Sequence, residues 1–236
     1  MSKLLQDWTP GYFTDLFLSV FLILVFIVSF IKRKKHPSFK FFPFYFASFI
    51  ILQLHYYIAI IFFFKPSYRK NIPLVNSYID RITTIAEFFV FMYFLYCSIK
   101  SVQKKKLTMW LAIVGLTIAV AIILKEVFWD GAVKYRSLTN IYILESSSML
   151  IPCFFYYHEL FSASPKLKLR QDANFWTITG LTIYLICTLP ITFVLAYLSE
   201  IDYPLYIQVY SIIHIFYIFL FTLIIKSYLC KPINLT

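Results

Sequence analysis

The sequence predicts an all-α fold: a single membrane domain, residues 1–236, built as a seven-helix bundle with the N-terminus outside and the C-terminus in the cytoplasm. Of the 236 residues, 61% are hydrophobic and 14% are charged, against roughly 45–50% and about 25% in a soluble domain. A soluble domain could not bury 27 Phe and 19 Tyr without leaving apolar patches in water, whereas a bilayer solvates them directly. At about 20 residues per span, the chain accommodates seven spans and leaves almost nothing for a soluble domain.

Seven continuous apolar runs define the helices. Each run is long enough to cross ~30 Å of hydrocarbon as a helix, and too long and too evenly apolar for the strands of a membrane barrel. In order, the runs cover residues 11–31, 41–64, 74–99, 107–124, 138–161, 174–198 and 204–229. The first run ends in the basic residues 32–35 and lacks a small-residue cleavage site, which is typical of a retained span with a stop-transfer flank.

The connections between the runs differ in charge. Fourteen Lys and Arg residues lie in 32–40, 100–106, 164–172 and the C-terminal tail, whereas seven lie in the alternate set of connections. Because the cytoplasmic side carries the excess of Lys and Arg, the sequence predicts that the N-terminus is outside. The net charge of +11 comes from these short clusters, so we interpret it as a topology signal and expect no nucleic-acid partner.

Ionisable residues inside the spans are the most informative feature for function, because each costs on the order of 2.5–3.5 kcal/mol to insert. Thr84 and Glu87 share one face of the third helix, and at about 1.5 Å per residue the acids of the third and fifth helices lie at the same depth as two histidines. We therefore predict a polar pocket in the outer half of the bilayer that binds an apolar or amphiphilic ligand. The predicted site residues are His55, Thr84, Glu87, Glu145, Ser148, Tyr210 and His214. The alternative is an interhelical hydrogen-bonded network that binds nothing.

The known catalytic patterns are missing from the sequence. It contains no HExxH, GxSxG, P-loop or GxGxxG motif, and its four histidines include no pair at i and i+4 that could hold a metal. We predict no catalytic residue, metal or cofactor, and a sensor or receptor-like module that signals to a cytoplasmic or membrane partner. Two alternatives from other classes stay open: an oligomeric channel or membrane-disrupting effector, and an intramembrane lipid-modifying enzyme.

Three segments carry a resemblance to a known family. They are TTIAEFFVFMYFLY (83–96), NIYILESSSMLIPCFFYYHELF (140–161) and NFWTITGLTIYL (174–185). Together with the histidine of the last helix, they resemble a family of short seven-helix inner-membrane proteins common in Bacteroidetes-type bacteria. The matched positions are Glu87, Glu145, Phe175, Trp176, Gly180, Tyr184 and His214. The resemblance implies a multi-pass protein of the bacterial inner membrane that accompanies a histidine kinase, and it implies no specific activity.

Overall fold

A computed structural model describes residues 10–32, 37–62, 72–125, 128, 135–162, 169–201 and 203–230. These residues form seven α-helices, and no β-strand occurs among them. The helices are α1 (Pro10–Lys32), α2 (Phe42–Phe62), α3 (Ile72–Ser98), α4 (Val102–Lys125), α5 (Tyr135–Ser162), α6 (Ala173–Ile201) and α7 (Tyr203–Leu229). Short 3₁₀ turns at Pro37–Phe39 and Leu169–Gln171 precede α2 and α6. The all-α prediction is confirmed, and each helix coincides with one predicted run.

Four of the described helices contain stretches long and apolar enough to cross a membrane. These stretches are Arg81–Ser98, Val102–Lys125, Ala173–Leu195 and Gln208–Leu229. Helix α4 shows the membrane character most clearly, because most of its apolar side chains are exposed, including 61% of Trp110. Water would disfavour such a surface, whereas lipid chains solvate it. The chain therefore has the helices of a membrane protein.

The chain divides into two compact units. One, the terminal unit, comprises residues 1–35 and 168–236, and the other, the central unit, comprises residues 36–167. In the terminal unit, α7 contacts both α1 and α6. The contact of α6 with α7 is close because Gly180 has no side chain: a Cβ atom there would lie 3.1 Å from Cβ of Leu223. An aspartate, Asp172, accepts a hydrogen bond of 2.9 Å from the Asn174 N–H and so caps the start of α6.

In the central unit, α3 contacts α2, α4, α5 and the 3₁₀ turn before α2. Aromatic rings fill the interface of α3 with α2 and with the 3₁₀ turn before it. The ring centroids of Phe42 on α2 and Phe91 lie 5.4 Å apart, and those of Phe39 in the turn and Phe94 lie 5.2 Å apart. All four side chains are fully buried. Offset and edge-on aromatic pairs at these distances contribute about 0.5–1.5 kcal/mol beyond the area that they bury. These aromatic pairs stabilise the packing of α3 against α2 and the turn before it, and the other sides of α3 face α4 and α5.

Candidate functional site

Two buried carboxyl groups lie near each other in the central unit. Glu87 on α3 is 3% exposed and Glu145 on α5 is 6% exposed, and the two groups interact electrostatically. Both residues stand in apolar stretches of helices that pack together, so neither short side chain reaches water along its own helix. The packing of α3 against α5 therefore brings two acidic groups together in an apolar interior.

The two carboxyl groups differ in their hydrogen-bond partners. The hydroxyl of Tyr45, a buried residue of α2, donates a hydrogen bond of 3.0 Å to Oε2 of Glu87. On Glu145, Oε1 is fully buried and accepts no hydrogen bond from any part of the chain that the structure describes. A buried acceptor without a donor costs about 1–3 kcal/mol, more if it is charged. A hydrogen-bond donor added at Glu145 would therefore stabilise the protein.

An apolar recess adjoins Glu145. It has a volume of about 10 Å³, which is room for about one water molecule, is partly open at the protein surface, and lies between α3, α4 and α5. The residues that line it are Thr84, Ile85, Phe88, Gly115, Leu116, Ala119, Ile141, Leu144 and Glu145. Apart from Thr84 and Glu145, the lining is apolar. The recess is far smaller than the 300–1,000 Å³ pockets of drug-sized ligands, so an alkyl chain or a short amphiphile would enter it only after the side chains around it move.

Gly115 lies at one wall of the recess, where the packing leaves no room for a side chain. A Cβ atom at this position would lie 2.8 Å from Cζ of Phe88 and 3.5 Å from Oγ of Ser148. Atoms do not approach as closely as 2.8 Å without a shift, so α4 packs against Phe88 only because residue 115 is glycine. Gly115 thus sets the position of the Phe88 ring, which lines the recess.

One basic side chain is buried in the same unit. Arg81 on α3 is 1% exposed and is among the largest fully buried side chains of the described residues. It precedes Glu87 by six residues, which is roughly 9 Å along the helix axis. Among the described Asp, Glu, His, Lys and Arg side chains of the central unit, the buried ones are Arg81, Glu87 and Glu145.

The structure places four of the predicted site residues in the central unit. Thr84 and Glu145 line the recess, Glu87 interacts with Glu145, and Ser148 is buried next to Gly115. His55 belongs to α2, but its side chain lies outside the described part of the chain.

The remaining two predicted residues belong to the terminal unit. The rings of Tyr210 and His214 form an edge-to-face pair on α7, with their centroids 4.9 Å apart. The histidine is buried, whereas 37% of Tyr210 is exposed. That these two residues contribute to one pocket with the glutamates stays a prediction.

Sequence reasoning missed Tyr45, Gly115 and Ala119. Tyr45 lies in the aromatic segment FFPFYFASF, where nothing marks one hydroxyl as functional. Gly115 stands alone in an evenly apolar run without a GxxxG partner, although a lone glycine within a helix is a signal of close packing. Ala119 follows Gly115 by four residues, and this small-residue pair on one face of α4 was the available signal for the recess.

A second polar cluster joins the start of α4 to the end of α5. The Glu159 carboxylate accepts hydrogen bonds from the backbone N–H groups of Lys100, at 2.8 Å, and Ser101, at 3.1 Å. Nζ of Lys104 lies 3.8 Å from Oε1 of Glu159 and 3.0 Å from Nδ1 of His158. A carboxylate from one helix thereby caps the N-terminus of another.

The chemistry of these groups favours binding. Among the described residues, no group of three or more His, Cys, Asp or Glu side chains could hold a metal ion. The surface that the recess exposes is apolar, and Oε1 of Glu145 is buried beneath it. In comparisons with known proteins, no family model, no curated protein and no solved structure matches the chain.

Proposed function

We propose that this chain is a small integral membrane sensor, a receptor-like module that binds an amphiphilic ligand in the recess between α3, α4 and α5. The observation that carries this proposal is Glu145, which lines an apolar recess and whose buried Oε1 has no hydrogen-bond donor among the described residues. Burying a polar group in such a place costs free energy unless a partner forms a hydrogen bond with it.

The recess favours a ligand with two parts. Its lining, with residues such as Ile85, Leu116 and Ala119, matches an alkyl chain, and a head group that donates a hydrogen bond would reach the buried carboxyl group of Glu145 once the side chains around it move. Few convergent polar groups in an apolar concavity are typical of small-molecule sites. An amphiphile of the membrane meets both requirements.

Helix α5 offers a route from the recess to the opposite end of the bundle. Glu145, Pro152 and Glu159 are spaced by seven residues and therefore lie on nearly the same face of α5. From the recess to the cap on α4 is roughly 21 Å, at about 1.5 Å per residue. Because Pro152 has no N–H group, α5 lacks one backbone hydrogen bond between these points and bends there at lower cost. A ligand that binds at Glu145 would therefore change the bend of α5 and, with it, the hydrogen bonds by which Glu159 caps α4.

The proposal includes a topology. Seven spans with the N-terminus outside, in the inner membrane of a bacterium, would place the recess in the outer half of the bilayer and Glu159 at the cytoplasmic end. That end would then face the signalling partner, for which the family resemblance favours a histidine kinase. Reporter fusions after Lys35, Lys106 and Lys168 test this arrangement, and all three should report a cytoplasmic location. A periplasmic signal at any one of them would overturn it.

Ligand binding is tested by filling the recess. The protein is reconstituted in lipid nanodiscs, and saturable binding of radiolabelled 1-dodecanol and dodecylamine is measured after subtraction of empty nanodiscs. We expect about one bound probe per wild-type chain. Ala119→Leu places a larger side chain in the recess and should abolish saturable binding.

The matched control is Thr117→Leu on the same helix, because Thr117 is exposed and its hydroxyl donates only to its own helix, at Ile113 O. This variant should bind like the wild type. Binding that is absent from the wild type, or equal in the wild type and Ala119→Leu, would refute the proposed function.

A further inference from the structure

The start of α4 combines an excess of positive charge with an exposed tryptophan. We propose that Lys106 and Trp110 bind an anionic phospholipid, with Lys106 at the phosphate group and Trp110 beside the first part of the acyl chains. This site lies on the side of α4 opposite the recess, because Gly115 and Ala119, which line the recess, stand about half a turn around the helix from Lys106. The lipid site is therefore independent of the proposed function.

The charge at this end of the central unit favours an anion. Four lysines stand at or just before the start of α4, and they are Lys100, Lys104, Lys105 and Lys106. The acid beside them is Glu159, whose carboxylate accepts hydrogen bonds from the backbone N–H groups of Lys100 and Ser101. One carboxylate does not neutralise four ammonium groups, so three positive charges are in excess.

The other acids of the central unit are too far away to neutralise these lysines. They are Asp80, Glu87, Glu126, Asp130 and Glu145. Glu87 stands 11 residues before Ser98, the last residue of α3, which is roughly 16 Å along the helix axis. Asp80 stands further from this end of α3, and Glu145 precedes Glu159 by 14 residues, or roughly 21 Å. The remaining two acids follow the opposite end of α4 in the sequence.

Among the lysines within α4, Lys106 is the one left available to a ligand. Nζ of Lys104 lies 3.8 Å from Oε1 of Glu159. Nζ of Lys105 lies 5.6 Å from the centre of the Tyr96 ring, a cation–π contact. The side chain of Lys106 is exposed, and it makes no ion pair, hydrogen bond or ring contact with any residue that the structure describes. Its charge is therefore free to meet a phosphate group.

The exposed side of α4 has its side chains in the order of the parts of a phospholipid. Residues three or four apart share a helix face, and the exposed residues that follow one another in this way are Lys106, Trp110, Ile113 and Thr117. The hydroxyl of Thr117 donates to its own helix, at Ile113 O, so it leaves the face apolar. A cation is thus followed by an aromatic ring, which suits the membrane interface, and then by apolar side chains, which suit acyl chains.

A lipid fits this face better than a protein partner does. The apolar side chains belong to Val102–Lys125, a stretch long and apolar enough to cross a membrane, so acyl chains are their solvent. Anionic lipids are attracted to basic clusters beside such a span, by about fivefold in affinity for each lysine. Phosphatidylcholine also has a phosphate, but its choline group would add a positive charge beside the lysines. The face should therefore prefer phosphatidylglycerol, whose head group has no cation.

The experiment measures which lipid lies against Trp110. The full-length protein is reconstituted in phosphatidylcholine vesicles that contain a rising fraction of phosphatidylglycerol brominated on its acyl chains, because bromine quenches tryptophan fluorescence on contact. The chain has four tryptophans, so the Trp110 signal is the difference between each protein and its Trp110→Phe version. We expect half-maximal quenching at a brominated fraction about fivefold lower than in the reciprocal titration, brominated phosphatidylcholine in phosphatidylglycerol.

Lys106→Gln removes the charge at an exposed position and should bring the two midpoints to within about twofold of each other. The matched control is Lys125→Gln, the same chemical change at an exposed lysine at the opposite end of α4, and it should keep the fivefold preference. A further measurement needs no variant: in 1 M NaCl, which screens charges beyond about 3 Å, the preference of the wild type should fall by at least half.

Each contrary result identifies a different error. Equal midpoints for the two lipids in the wild type would overturn the preference for an anionic head group. A fivefold preference that survives Lys106→Gln, or that is lost equally in Lys125→Gln, would overturn the role of Lys106. A Trp110 signal that neither brominated lipid quenches would show that a protein, such as a second copy of this chain, covers the face, and would overturn the lipid as its occupant.

Discussion

The two units satisfy their buried polar groups in different ways. In the terminal unit, the hydroxyls of Thr182, Thr188 and Thr192 on α6 donate to the backbone carbonyls four residues earlier, at 2.7–2.8 Å. In the central unit, the buried polar groups include Glu87 and Glu145. A carboxylate has no hydrogen to donate to helix carbonyls, and the N–H groups of its own helix are already bonded. These three threonines are therefore satisfied locally, although Thr177 on the same helix is buried without a hydrogen-bond partner among the described residues, whereas the glutamates depend on donors from other helices.

The buried glycines of the two units also differ in what they contact. Gly180 in the terminal unit faces Leu223 near its backbone, as the Cβ atom of Leu223 is the nearest atom to the missing side chain. Gly115 in the central unit faces the tip of the Phe88 ring. The first glycine sets a distance between two helices, and the second sets the position of one side chain at a recess.

The largest effect should come from removing the buried positive charge of the central unit. Arg81→Ala removes a guanidinium side chain that is 1% exposed and creates a cavity, so we expect a loss of about 3–5 kcal/mol in the free energy of unfolding. The measurement is reversible unfolding in mixed micelles. Arg170→Ala, at an exposed position of the terminal unit, should change this free energy by less than about 0.5 kcal/mol. Similar losses from both variants would contradict the contrast between the units.

The hydrogen bond of Tyr45 to Glu87 should have the next largest effect. Tyr45→Phe removes a hydrogen bond to a buried carboxyl group, which should cost about 2 kcal/mol. In a double-mutant cycle with Glu87→Gln, the coupling free energy should exceed ~0.5 kcal/mol because the two groups are in contact. Tyr197→Phe, at a side chain that is 67% exposed, is the control and should be neutral. Additive losses in the cycle would show that the bond contributes nothing of its own.

The two glycine-to-alanine variants give a matched comparison. In Gly180→Ala the added Cβ meets a Cβ atom on α7 that cannot rotate away, so α6 and α7 must separate, at a cost of about 1.5 kcal/mol. In Gly115→Ala the Phe88 ring can tilt, and the gain of up to about 1 kcal/mol in helix propensity offsets part of the cost. We expect Gly115→Ala to be nearly as stable as the wild type but to lose dodecylamine binding, because the ring moves within the recess. The opposite pattern in thermal unfolding and nanodisc binding would reverse the roles assigned to these glycines.

The smallest effect should be that of Thr188→Val. Its hydroxyl bonds only within α6, to the carbonyl of Tyr184, and that carbonyl also belongs to the helix's own ladder. Removing it should change the free energy of unfolding by less than about 0.5 kcal/mol, in contrast to Tyr45→Phe. A loss near 2 kcal/mol, measured under the same conditions, would show that the terminal unit depends on its hydroxyls after all.

The helices were predictable because apolar runs of this length have few other folds in a bilayer. The largest error is at α4, which begins at Val102 and not near residue 107. The apolar run begins only after the lysines Lys104 to Lys106, so the predicted helix began there. Lysine is a good helix former, however, and the helix includes these residues. The carboxylate of Glu159 also satisfies the backbone N–H groups that precede the helix. That cap comes from a residue far along the chain, so local sequence could not reveal it.

Of the candidate site, the sequence could predict only the ionisable residues within the helices. Glu87 and Glu145 stand out in any membrane sequence, because an acid within a span demands an explanation. The recess beside them is formed by side chains of three helices, and the choice of which face of α4 turns inward depends on packing. Helix α4 is apolar on all sides, so its periodicity holds no information about that face. The hydrogen bond of Tyr45 to Glu87 joins residues that are 42 positions apart, so it likewise depends on the tertiary structure.

The cap that Glu159 gives to α4 has a consequence for synthesis of the chain. A ribosome makes the start of α4 first, and the carboxylate that caps it follows 58–59 residues later. Until α5 is in place, the N–H groups of Lys100 and Ser101 must bond to water or lipid head groups, and the nearby lysines have no counter-charge from Glu159. Insertion of α5 therefore completes the end of a helix that is already translated. A chain that is stopped before residue 159 should leave α4 frayed at this end and more open to proteolysis there.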